Sequence, residues 1–78
     1  MPEIKLKDLL TKLERGEIDQ FDFEVGSFTY GFDILPKVSP LRKHFDFTIV
    51  VMVDSEVIDY DYGKFSTFNC ADYIKGAK

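Results

Sequence analysis

The hydrophobic period of this chain changes once, at Gly16, and that change decides what it can fold into. Upstream, Leu6, Leu9, Leu10 and Leu13 recur at i, i+3, i+4 and i+7, one apolar stripe of a helix, with Lys5, Lys7, Lys12 and Arg15 off it. The spacing predicts a helix over about residues 5–15, ended by Gly16, which can turn left-handed. Downstream the period is two. Phe21, Phe23 and Val25 alternate with Asp22 and Glu24, and after Gly26-Ser27 the residues Phe28, Tyr30, Phe32 and Ile34 alternate with Thr29, Gly31 and Asp33. Two half-buried strands across a Gly-containing pair read as a β-hairpin.

Pro36 to Pro40 breaks both periods, so residues 36–43 are expected as a loop, basic through Lys37, Arg42 and Lys43. A third strand is expected over about His44–Val53. It alternates through Phe45, Phe47 and Ile49, then becomes apolar on both faces, as a central strand does. Asp54-Ser55-Glu56 reads as the next turn. Ile58, Tyr60 and Tyr62 then alternate with Asp59 and Asp61 in a fourth strand. The tail from Phe65 to Gly76 reads as a short helix capped by Ser66 or Thr67, with Phe68, Ala71 and Ile74 on its buried side. The expected fold is therefore a single small α+β domain over residues 1–78, in the order α-β-β-β-β-α. Its sheet is mainly antiparallel and four-stranded, with the N-terminal helix packed on the aromatic face.

Composition explains how so short a chain can have a core. At 78 residues it buries little more than ~60% of its unfolded surface, but eight Phe and four Tyr each bring a large apolar area. One cysteine allows no internal disulfide, which suits a reducing, cytoplasmic location. The start has no apolar stretch of the signal-peptide kind. The apolar run Phe47–Val53 falls far short of the ~20 residues that span a bilayer, so no membrane association is expected. Double-stranded-RNA-binding domains share the helix-first order, but they need a basic helix start after the last strand. Here Phe68-Asn69-Cys70-Ala71-Asp72 carries no Lys or Arg. With a net charge of −4, direct nucleic-acid binding is not expected.

The charge is unevenly placed. Residues 17–35 and 54–62 together carry −9 with no Lys or Arg, against +5 elsewhere. If the aromatic positions all point toward the helices, Asp22, Glu24, Asp33, Asp46, Asp59 and Asp61 share the opposite face. Polar sheet faces need no function, since charges keep them soluble and discourage edge pairing. A purely acidic one is less ordinary, because Asp is depleted in strands and like charges across strands repel. Such an array could imitate phosphates and draw the basic surface of a nucleic-acid-handling protein. The functional expectation is a small acidic, non-catalytic inhibitor or binding module, with Tyr60 and Tyr62 as rim contacts. Acidic inhibitors encoded by phages and other mobile elements, some of them DNA mimics, are analogous in size and charge. The alternative is a structural protein that self-associates through its edge strands.

Other chemistry is thinly supplied. His44 and Cys70 are the chain's one histidine and one cysteine, so a Cys–His nucleophile would need both to meet in space; a lone cysteine is more often a small core residue. A calcium loop starting at Asp54 would need an oxygen ligand fifth, Gly sixth and Glu twelfth, where Ile58, Asp59 and Phe65 stand. The five glycines are isolated, so no phosphate-cradling loop exists. No catalytic residue, metal or cofactor is expected.

Overall fold

The computed structural model describes Pro2 to Asn69, with side chains from Lys5 onward. Helix α1 spans Pro2–Arg15. It is followed by strands β1 (Gln20–Val25) and β2 (Phe28–Ile34), a 3-10 turn at Pro40–Lys43, and strands β3 (Phe47–Val53) and β4 (Glu56–Gly63). The helix begins earlier than its leucine stripe because Pro2 suits a first turn, where its missing N–H has no helical partner to lose. It ends as expected. Gly16, at φ +79°, lets its own N–H reach the Leu13 carbonyl at 3.2 Å and that of Glu17 reach Lys12 at 3.0 Å.

The four strands form one antiparallel sheet in the order β1-β2-β3-β4, a meander in which every neighbour in space is a neighbour in sequence. β2 and β3 are internal, and β1 and β4 are the edges. The core lies between α1 and one sheet face. Leu6, Leu10 and Leu13 pack with Phe23, Tyr30, Phe32, Phe47, Ile49 and Val51, all buried. Phe21 stacks on Phe32, its cross-strand partner, at 4.7 Å between ring centres. Phe65 and Phe68, beyond β4, close over Phe47 at 5.1 and 5.4 Å. Where the sequence predicts the start of a C-terminal helix, residues 65–67 form a turn, the N–H groups of Thr67 and Phe68 bonding the Lys64 carbonyl at 3.2 and 2.9 Å. The rest of that expected helix, with Cys70 and Tyr73, lies outside the described residues.

β4 runs in the phase opposite to the one its aromatics suggest. The two-residue turn Asp54-Ser55, both at positive φ, sets Val53 against Glu56 and Met52 against Val57. Continued regularly, that register would bring Ile58, Tyr60 and Tyr62 opposite Val51, Ile49 and Phe47, facing the core. Instead a bulge makes Ile58 the extra residue, and Asp59, Asp61 and Gly63 take those places. The reason lies at the far end of the strand. A Cβ on Gly63 would stand 2.6 Å from the Phe47 ring, so the residue opposite Phe47 must be the one without a side chain. The turn demands one register, the Phe47 ring another, and the bulge absorbs the difference.

Two further expectations are corrected. Asp46 precedes β3 and is not part of a carboxylate face. Its Oδ2 accepts the Phe65 N–H at 2.9 Å and its Oδ1 pairs with Arg42 at 3.7 Å. Arg42 also donates to the Leu35 carbonyl at 2.7 Å, so one of the three cations of the expected basic loop is used to stitch the ends of β2 and β3 and the segment after β4 together. That loop holds the 3-10 turn, whose start is capped by the Ser39 hydroxyl accepting from Leu41. β3 accordingly begins at Phe47, later than His44.

Candidate interaction surface

Residues directly opposed across antiparallel strands share a face, so the register assigns the side of the sheet away from α1. It carries Gln20, Asp22 and Glu24 of β1, Thr29, Gly31 and Asp33 of β2, Thr48, Val50 and Met52 of β3, and Val57, Tyr60 and Tyr62 of β4. No helix covers this face among the described residues. Of the six carboxylates expected here, Asp22, Glu24 and Asp33 are present and exposed. Asp59 and Asp61 lie on the other face, and Asp46 is committed to Arg42 and Phe65. The six-carboxylate array does not exist.

What replaces it is a two-part surface. At the β1–β2 end the acids stand without a Lys or Arg on the same face among the described residues. Asp22 leans across the sheet, its Oδ1 3.3 Å from where a Cβ on Gly31 would sit. At the β3–β4 end the face is aromatic and aliphatic. Tyr60 and Tyr62 meet edge-to-face at 5.4 Å, Tyr62 stacks on Phe45 at 5.1 Å, and His44 sits against Phe45 at 6.4 Å. Tyr60, Val57 and Ile58 are more than half exposed, at 53%, 61% and 55%. The Tyr62 phenol titrates above its ordinary value of 10.0, because of its hydrogen bond to the Tyr60 side chain, then burial, then the Tyr60 charge. Val50 and Met52 lie half-buried between the two parts. The doubly apolar run of β3 was the sequence signal for this apolar content; the stacking of Phe45 on Tyr62 had none, because it depends on the phase of β4.

Comparison with family models, with curated proteins and with solved structures returns no match.

On β4 the two displaced carboxylates have a different task. β3 bonds β2 through alternate residues, as the Leu35 N–H to Asp46 carbonyl contact fixes, so Phe47, Ile49 and Val51 bond Gly63, Asp61 and Asp59. The N–H groups of Tyr60 and Tyr62 therefore point out of the sheet. Each is taken at 2.8 Å by the carboxylate of the preceding residue, Asp59 or Asp61. A cleft of about 290 Å³ lies at the end of this strand between Phe45, Tyr62, Lys64 and Phe68. Among the described residues no group of three or more His, Cys, Asp or Glu side chains is placed to hold a metal ion. None of their helices is long and apolar enough to cross a membrane. Asp54 and Ser55 form a hairpin turn and Glu56–Gly63 a strand, so that stretch does not wrap an ion as a calcium loop would.

Proposed function

We propose that this chain is a small, non-catalytic binding module that engages a partner protein with a basic surface through the outer face of its sheet. The observation that supports this reading is the composition of that face: three carboxylates with no Lys or Arg on it among the described residues, next to exposed Tyr60 and Val57. Carboxylates steer a cationic partner and set its orientation, while aromatic side chains supply most of the contact energy at little entropic cost. Arginine suits both parts, since its guanidinium pairs with carboxylates and stacks on aromatic rings. An inhibitory role toward a nucleic-acid-handling protein fits a basic partner, and the single cysteine suits the cytoplasm. Three carboxylates at one end of a sheet imitate a phosphate run less well than the six expected of a phage-type DNA mimic.

The test is capture from host lysate at low and high salt, with the wild-type chain and with Asp22→Lys/Glu24→Lys/Asp33→Lys and Tyr60→Ala variants. A partner held by the wild type, released by salt and lost from both folded variants is the expected result. Equal capture by variants whose thermal unfolding is unchanged would overturn the proposal. A mass that rises with concentration in size-exclusion runs, with no foreign partner, would favour self-association instead.

A further inference from the structure

The two edges of the sheet are not equivalent. β4 is closed to further strands: it is bulged at Ile58, and its outward N–H groups at Tyr60 and Tyr62 are held by Asp59 and Asp61. Among the described residues β1 shows neither a bulge nor a side chain on its outward N–H groups. The Ile34 N–H bonds the Asp19 carbonyl at 3.0 Å, which fixes Phe21, Phe23 and Val25 as the residues bonded to β2. The N–H and C=O groups of Gln20, Asp22 and Glu24 therefore point away from the sheet, on residues that are all exposed. Beside this edge, Phe21, Val25, Leu9 and Ile18 are left half-buried against the core.

We infer that the free edge of β1 accepts a fifth strand from a basic partner, an extended segment in which Lys or Arg alternates with apolar residues. Opposite positions share a face, so every second residue of the added strand stands beside Asp22 and Glu24, and the others extend the apolar side at Phe21, Phe23 and Val25. The same arithmetic makes β1 of a second copy a poorer occupant. Pairing β1 with β1 antiparallel sets Asp22 and Glu24 against Asp22, Glu24 or Gln20, which brings like charges together and offers no cation. The acids thus guard the edge against self-pairing while leaving it open to a cationic strand. The inference rests on the outer-face reading above for the sign of the partner's charge, and adds main-chain pairing as the docking mode.

The probe is a blocked peptide alternating Lys and Val over the length of β1, added to the isotope-labelled full chain, with a Glu–Val peptide as control. The expected result is slowed hydrogen exchange at the Gln20, Asp22 and Glu24 amides, unchanged exchange at Tyr60 and Tyr62, and no effect of the control. Asp22→Lys/Glu24→Lys weakens binding by about tenfold or more, and the isosteric Asp22→Asn/Glu24→Gln moves it in the same direction with the fold kept. Gln20→Pro, which removes one outward donor and no charge, also weakens it. Shifts confined to Val50, Tyr60 and Tyr62, with the β1 amides exchanging as in the free chain, overturn the edge and leave the outer face standing. Equal binding of the control, no binding of the Lys–Val peptide at millimolar concentration, or dimerisation through β1 overturns the inference outright.

Discussion

Gly63 shows how one missing side chain can organise a strand. The Phe47 ring occupies the volume a Cβ would need, at 2.6 Å, and Phe65 and Phe68 pack against that ring at 5.1 and 5.4 Å between ring centres. The ring cannot retreat, because Phe32 stands 5.8 Å away between ring centres. Gly63→Ala should therefore destabilise the fold by about 1–3 kcal/mol through overpacking. Chemical denaturation measures this, and pairing the change with Phe47→Leu should recover part of the loss, since the two sites share one volume. Asp46 is a second case. From sequence it is one acid among many, yet its two oxygens serve different groups, the Phe65 N–H and the Arg42 guanidinium. No alternation pattern announces that role, because both partners come from outside the strand.

At the scale of elements, α1 and the first hairpin follow from local pattern. The leucine stripe, the Gly16 stop, β2 at Phe28–Ile34 and the Gly26-Ser27 loop are legible because each depends on residues a few places apart. β4 is not. Its turn and its Gly63 contact are satisfied in different registers, and the Ile58 bulge reverses the side to which Asp59, Tyr60, Asp61 and Tyr62 point. The reversal also equips the edge, because a carboxylate beside an outward N–H satisfies a donor that another chain would otherwise use. Replacing both carboxylates with Asp59→Thr/Asp61→Thr should keep the strand, since Thr suits a sheet, but release that edge. Sedimentation velocity should then show association that rises with concentration more steeply than the wild type's.

At the scale of the whole molecule, Tyr30 and Tyr62 make stability depend on alkaline pH. Burial raises the Tyr30 pKa above 10.0, and Tyr62 is raised through Tyr60. For a group raised in the folded state, the stabilising contribution is complete below the unfolded pKa. It is lost as pH climbs through the folded value, because the unfolded chain gives up its proton first. Unfolding free energy should be level between about pH 8 and 9 in these groups' contribution and fall above about pH 10. Tyr30→Phe should make that fall shallower, as read by denaturant titrations at several pH values. On the same scale, the two sides of the sheet differ: one face holds the core and the other is uncovered by any helix among the described residues, while the β4 edge is bulged and the β1 edge is regular.

The sequence by itself determined the α+β class, the helix, the antiparallel strands and their approximate bounds, because hydrophobic period and turn chemistry act over neighbouring residues. It also determined that acid is concentrated in strands. Only the tertiary structure decided which acids share a face. That depended on where the Phe47 ring sits relative to Gly63, a contact between strands whose register a local pattern cannot supply. A slip of one residue moves every later side chain to the opposite side. The expected six-carboxylate array thus became three acids beside an aromatic patch, and two acids guarding an edge.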